Sequence, residues 1–156
     1  MARSIRKAPA RRLLFALGLA GVAACASLKA PILRVDGLKL GKAGITGASM
    51  DVGFALRNPN PEPLRVERFD YELFVNGQRL GRGFQPEAVE LPGFGEQRVT
   101  SRFDVNFLSL PSAVKAVLDD DRAKARVKGN FYVRQGDGGA KKLGFDADAD
   151  VDIKKN

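Results

Sequence analysis

Between residues 58 and 63 the chain reads Asn58-Pro59-Asn60-Pro61-Glu62-Pro63, and this hexapeptide restricts the fold more than any other stretch. Three prolines at alternate positions remove three backbone donors, hold φ at about −65° and push each preceding residue out of the helical region. Neither a helix nor an interior strand passes through such a segment. Both flanks, however, have a strand period. Met50, Val52, Phe54 and Leu56 alternate with Asp51, Gly53, Ala55 and Arg57 before it, and Phe69, Tyr71, Leu73 and Val75 recur at period two after it. The hexapeptide is therefore a corner between two half-buried strands. Asn58 and Asn60 control its backbone through short side chains that hydrogen-bond nearby amides, and Tyr71, in phase with Phe69 and Leu73, packs in the core.

Asn76-Gly77 follows Val75 directly and fits a type I′ turn, in which both central residues take positive φ. Gln78 to Phe84 then returns beside the preceding strand with Leu80 inward. Gly81 and Gly83 belong to hairpin geometry, because no GxGxxG leads from a strand into a helix around them. Further strands are predicted at Ile32 to Leu40 around Gly37, Glu87 to Leu91, Val99 to Phe107, Lys124 to Arg134 and Lys142 to Ile153; Pro92-Gly93-Phe94-Gly95 is a break. The period changes once. Leu110, Val114, Val117 and Leu118 share a helical face, with Ser109 as cap and Pro111 in the first turn. About seven strands, one short helix and no βαβ rhythm predict an all-β antiparallel sandwich. Within it, Lys124, Arg126 and Lys128 are expected opposite Asp152, Asp150 and Asp148 on one face. Ala125, Val127, Phe131 and Val133 are expected opposite Val151, Ala149, Phe145 and Leu143 on the other.

Upstream of these strands the chain changes character. Residues 1–12 carry Arg3, Arg6, Lys7, Arg11 and Arg12 without an acid, and Leu13 to Ala24 is an uninterrupted apolar run of 12 residues. That is the charge and length pattern of an export signal, too short for a span that needs roughly 20 helical residues. Val22-Ala23-Ala24-Cys25 resembles the lipobox of a bacterial lipoprotein precursor. The resemblance implies cleavage before Cys25, a diacylglyceryl thioether on its sulfur and acylation of the new amino group. Residues 1–24 are then a lipoprotein signal peptide, 25–31 an acylated cysteine with a short tether, and 32–154 the β-domain. The expected partner of Cys25 is the lipid bilayer of a bacterial cell envelope. In a diderm cell Ala26 after the cysteine favours the periplasmic face of the outer membrane.

Loss of residues 1–24 removes five positive charges, so the formal charge falls from +8 to +3 and the argument for nucleic-acid binding goes with it. The chain has no histidine, and its one cysteine is the proposed anchor, which excludes ordinary Ser-His-Asp and Cys-His schemes and thiolate or imidazole ligation of zinc in the mature domain, leaving only oxygen-rich metal sites open. Ser112 and Lys115 have helical spacing but read as a solvated face; Asp119, Asp120 and Asp121 read as a helix terminus. Asp146, Asp148 and Asp150 start like a calcium loop, but Val151 stands where that loop needs glycine. No catalytic, cofactor-binding or metal-ligating residue is assigned.

Asn58-Pro59-Asn60-Pro61, the alternation Phe69, Tyr71, Leu73, Val75, the Asn76-Gly77 turn and Leu80-Gly81-Arg82-Gly83 occur in an order that resembles the second group of late embryogenesis abundant proteins, which includes the water-stress and hypersensitive-response domain. The resemblance runs from about Pro31 to Ile153. It implies an immunoglobulin- or fibronectin III-like β-sandwich and an association with desiccation or other stress, with no known enzyme, cofactor or substrate. The expected function is a noncatalytic envelope lipoprotein that binds or stabilises an envelope protein or other envelope component. The alternatives are an envelope hydrolase or other enzyme with an unrecognised site, and a structural envelope interaction protein; the oligomeric state stays open.

Overall fold

The computed structural model describes residues 27–106, 108 and 121–155. Every element among the described residues is a strand: β1 (Ile32–Ala43), β2 (Gly47–Arg57), β3 (Leu64–Val75), β4 (Gln78–Gln85), β5 (Val89–Leu91), β6 (Glu96–Asn106), β7 (Arg122–Arg134) and β8 (Lys141–Lys155). The helix predicted around Ser109 to Leu118 lies outside the described residues. The strands form one path, β4-β3-β7-β8-β1-β2-β6, and β5 pairs with the start of β3 at Leu64–Val66.

The expectation of a purely antiparallel sheet is corrected at one place. β1 and β8 run parallel through Leu38/Ile153, Lys39/Lys154 and Leu40/Lys155. An alternation of apolar residues reads the same in either direction, so it carries no information on strand polarity. This pair joins β4-β3-β7-β8 to β1-β2-β6, and the continuous sheet rolls until its halves face each other. Phe54 of β2 meets Phe69 and Tyr71 of β3 edge to face, with centroids 5.5 and 5.0 Å apart. Around these rings Val52, Leu56, Leu64, Val66, Leu73, Val127 and Phe131 are fully buried. A buried side chain of this kind is worth roughly 1.5–3 kcal/mol against exposure, so the inner face outweighs the ion pairs outside at about 0.2–1 kcal/mol each. In β1 the inward phase changes: Leu33 and Val35 are buried, then Leu38, because the register against β2 shifts between Val35 and Gly37. One extra residue there turns the strand's second half inward.

The predicted β7–β8 pairing has the right faces and the wrong register. Lys124, Arg126 and Lys128 stand opposite Asp150, Asp148 and Asp146, two residues from the expected partners, and Arg122 takes Asp152. Val127 meets Ala147, Phe131 meets Leu143, and Phe145 lies opposite Gly129. A two-residue slip preserves the inside and outside of both strands, so hydrophobic pattern alone does not separate the two registers. The observed one matches four basic-acidic pairs where the expected one matched three. It also seats the Phe145 ring in the space left by Gly129, against Phe131 at 4.4 Å.

The β3–β4 connection consists of Asn76 at φ 47° and Gly77 at φ 79°, and the Asn76 N–H donates to the Lys124 carbonyl at 2.8 Å. Among the described residues nothing lies within 4 Å of a Cβ placed on Gly77, so what a side chain there meets is backbone strain. Gly77→Val is expected to lower stability by about 1–3 kcal/mol, the cost of a strained backbone at one residue, whereas Gln78→Val in the exposed strand start stays within about 0.5 kcal/mol. Equal shifts in the two denaturation midpoints would contradict the turn geometry.

Candidate interaction surface

Asn58 and Asn60 hold together one end of the rolled sheet. The Asn58 side chain is fully buried; its Nδ2 donates to the carbonyls of Glu62 (2.8 Å), Leu91 (3.3 Å) and Pro92 (3.1 Å). Its Oδ1 accepts from the backbone N–H and the side-chain Nδ2 of Asn60, each at 2.9 Å. Asn60 then grips the strand-like entry of the chain at both polar atoms of one residue: Oδ1 accepts the Lys29 N–H, and Nδ2 donates to the Lys29 carbonyl, both at 2.9 Å. These contacts reach 31 to 34 residues along the chain, well beyond the local turn. Pro59 and Pro61 set the corner, and a Cβ at Gly93 would overlap the Pro61 carbonyl oxygen, so the β5–β6 turn sits directly on it. That turn is closed by Gly95 N–H to Pro92 O (2.9 Å), Phe94 N–H to Asn60 O (3.0 Å) and Asn58 N–H to Gly95 O (2.9 Å). Phe94 has φ 56°, a left-handed conformation costing of order 1–3 kcal/mol for a residue with a side chain, and its ring is 62% exposed.

Where the roll closes, β4 and β6 approach without sharing a backbone ladder. Tyr71 fills this seam. Its ring lies over Gly83, where a Cβ would overlap it, and over Phe103 at 6.3 Å; Phe103 in turn lies 2.9 Å from the position of a Cβ on Gly81. Gly81 and Gly83, both in the returning strand of the β3–β4 hairpin, thus make room for two rings. Ser101 Oγ donates to the Phe84 carbonyl across the seam at 3.3 Å. The Tyr71 hydroxyl is buried without a partner in hydrogen-bond geometry among the described residues. Burial pushes its pKa up to about 12, the nearby Ser101 hydroxyl works against that, and the Asp51 charge adds to it. Tyr71→Phe is expected to raise stability by about 1 kcal/mol, since it deletes an unsatisfied buried polar group and keeps the ring; a loss in the urea midpoint would show that the hydroxyl has a partner.

Outside, the sheet carries charges in cross-strand rows. Arg102 holds Asp51 at 2.6 and 3.0 Å, Arg126 holds Asp146 at 2.8 and 2.7 Å, and Glu72 lies between Arg79 and Arg82 at 3.0 and 3.1 Å. Hydrogen bonds from Arg102, Arg82 and Arg126 are the leading reason that Asp51, Glu72 and Asp146 titrate below their ordinary values. A carboxylate with a depressed folded pKa contributes stability above its unfolded pKa and loses it as pH falls through the folded value. The urea midpoint is therefore expected to drop modestly from pH 6 to pH 3, and less in Asp146→Asn; an unchanged midpoint would remove these pairs from the stability account. The acidic row Asp146, Asp148, Asp150 is thus one side of an ionic ladder. Among the described residues no group of three or more Asp, Glu, His or Cys could hold a metal ion. A recess of about 720 Å³ along the ladder is lined by Lys124, Arg126, Lys128, Asp148 and Asp150 with Phe74, charges that face one another across the pair. Ser112 and Lys115 lie outside the described residues, as does Cys25.

One outer stripe is different. Arg68 stacks over Tyr132 with its guanidinium carbon 3.8 Å from the ring centroid and lies 5.9 Å from the centroid of Phe84; Lys142 reaches the Tyr132 ring at 5.9 Å. Asp70 accepts from Asn130 (3.1 Å) and from the Tyr132 hydroxyl (3.3 Å), fixing that ring. Among the described residues no carboxylate lies within ion-pairing distance of Arg68 or Lys142, and Phe84 is 46% exposed. Two rings and two cations without ion-paired carboxylates among the described residues thus share one exposed stripe, with Asp70 at its edge holding Tyr132. Sequence reasoning missed it because Phe84, Arg68, Tyr132 and Lys142 become neighbours only through β4-β3-β7-β8 order.

The family model for late embryogenesis abundant protein matches residues 54–149, from the middle of β2 into β8. An uncharacterized protein of Methanocaldococcus jannaschii is 26% identical over 111 residues, 70% of this chain, and the chain spans about a quarter (25%) of that relative's length. Among solved structures, the solution structure of an Arabidopsis thaliana protein is similar with a TM-score of 0.58 at 12% identity, over 83% of this chain and 87% of the other. A crystal structure of an Archaeoglobus fulgidus protein gives a TM-score of 0.47 at 16% identity, over 78% and 98%.

Proposed function

The chain belongs to the late embryogenesis abundant family, and on that premise we propose that it is a noncatalytic, lipid-anchored domain of the bacterial envelope that binds or stabilises another envelope component during water loss or osmotic stress. The family supports a stress-related, noncatalytic role. We read the rolled sheet as an immunoglobulin- or fibronectin III-like sandwich whose halves are bridged by β1 and β8. The anchored reading rests on Val22-Ala23-Ala24-Cys25 behind a basic and apolar leader, and the grip of Asn60 on Lys29 adds that the chain enters the fold only four residues after Cys25, which leaves a very short tether between the proposed acyl anchor and the domain. Several acyl chains on one cysteine supply the stable attachment that a single chain does not. The stripe of Phe84, Arg68, Tyr132 and Lys142 supports partner binding.

Protein purified from membranes of its native host is expected to lack residues 1–24 and to carry diacylglyceryl and acyl mass on Cys25. Cys25→Ser is expected to leave the membrane fraction or to stay unprocessed. A deletion strain is expected to survive drying less well and to be rescued by the wild-type chain but not by Cys25→Ser. An unmodified mature Cys25 overturns the anchored reading, and wild-type survival of the deletion strain overturns the stress role.

A further inference from the structure

We propose that the Asn60 end of the sheet is a membrane-contact tip, with Phe94 as its inserted side chain and a lipid surface as its occupant. The inference rests on the anchored reading above and adds an orientation and a second contact to it. Lys29 is fixed at this end through both of its backbone polar groups. Four residues of chain reach at most about 14 Å from it to Cys25, while the 12 residues of β3 alone span roughly 40 Å of the domain's length. An acyl anchor at Cys25 therefore holds the Asn58–Pro63 end, not the Asn76-Gly77 end, next to the bilayer.

The opposite end also exposes apolar side chains, Ile45 and Leu108, so it is the tether length that selects the Asn60 end, and its own surface is compatible with that neighbour. Phe94 is exposed although it sits in a turn closed by three backbone hydrogen bonds and seated on the Pro61 carbonyl. A glycine would take φ 56° without strain, and the neighbouring Gly93 and Gly95 show that this turn has glycines to spend; an aromatic ring at the strained position needs a reason outside the fold. Ile32, 54% exposed at the start of β1, flanks the same end through its pairing with Arg57, itself opposite Glu96 two residues beyond Phe94. Lys29 is exposed beside them. Phe94 and Ile32 stand there among exposed charges of both signs, Lys29 and Arg57 with Glu62 and Glu96, an amphipathic rim that fits the headgroup boundary, where aromatic and aliphatic groups settle about 5–10 Å deep.

The chain contains no tryptophan, so a single substitution supplies a clean optical probe. The processed, acylated protein carrying Phe94→Trp, and a second carrying Ile45→Trp in the β1–β2 loop at the opposite end, are reconstituted into phosphatidylcholine vesicles brominated in the upper acyl chain, and Cys25 modification is verified by intact mass. Trp at position 94 is expected to emit to the blue of Trp at position 45 and to be quenched at least about twofold more by the brominated lipid, the behaviour of an interfacial ring. Acylated Cys25 with equal quenching at the two positions, or stronger quenching at position 45, overturns the tip while leaving the anchor intact. Unmodified Cys25 with neither position quenched overturns the anchored reading and this inference together.

Discussion

Gly129→Ala is expected to destabilise the domain by about 3 kcal/mol, a large share of the roughly 5–15 kcal/mol that holds a domain of this size folded. Gly129 lies inside β7, between β3 and β8. A Cβ there would overlap the Asp70 carbonyl oxygen and stand 2.8 Å from both the Tyr71 Cα and the Phe145 Cζ. Two of those three obstacles are backbone of the central strand β3, which cannot yield without breaking its ladders to β4 and β7. The third is a ring packed on Phe131 at 4.4 Å and on Phe69 at 6.4 Å. The effect runs against the usual sign, because Gly→Ala at an ordinary extended position stabilises by about 0.4–1 kcal/mol through the unfolded chain. Gly144→Ala on the facing strand, whose Cβ would meet nothing nearer than the Gly129 carbonyl oxygen at 3.9 Å, is the internal control and is expected to be neutral or stabilising. Urea denaturation of the two variants decides it: matching midpoints would mean that Phe145 does not occupy the Gly129 gap.

That gap also marks the limit of what the sequence discloses. Period two reports which face a residue takes, and it is right for Met50 to Leu56, for Phe69 to Val75 and for both members of β7 and β8. It is silent on direction, hence the parallel β1–β8 pair, and on even-numbered slips, hence the two-residue error at Lys128. Gly129 was the available clue to the register: a glycine inside an otherwise apolar-and-basic alternation signals close approach, and a large ring one strand away is what fills it. The candidate surfaces were less legible still. Phe84 marks only the end of a returning strand, Tyr132 carries no signal of its own, and Pro92-Gly93-Phe94-Gly95 reads as a break, because only the tertiary fold brings Arg68 between the two rings and seats the turn on Pro61.

Asn58→Leu is expected to cost about 3–5 kcal/mol, although leucine is apolar, similar in size and enters a fully buried site. The substitution strands groups rather than opening a cavity. The carbonyls of Glu62, Leu91 and Pro92 lose their donor, and Asn60 loses the oxygen that accepts from its backbone and side chain. Each buried group left unsatisfied costs about 1–3 kcal/mol, and the Asn60 grip on Lys29 loosens with its support. Asn58→Asp separates this account from a simple intolerance of substitution. Aspartate keeps the acceptor for Asn60 but turns a second oxygen toward three carbonyl oxygens, so its ionised form is disfavoured and its folded pKa rises above the unfolded value of about 3.9. A carboxyl group raised in this way is tolerated below its unfolded pKa, and its penalty grows as pH climbs from there to the folded pKa. The gap between Asn58→Asp and wild type is therefore expected to narrow on acidification, while the wild-type chain itself weakens as Asp51, Glu72 and Asp146 lose their arginine partners' advantage. Denaturant midpoints of both proteins from pH 7 to pH 4 provide the comparison. A gap that stays constant would place the Asn58 amide away from the Glu62, Leu91 and Pro92 carbonyls, and with it would go the tie between the proline corner and the chain's entry at Lys29.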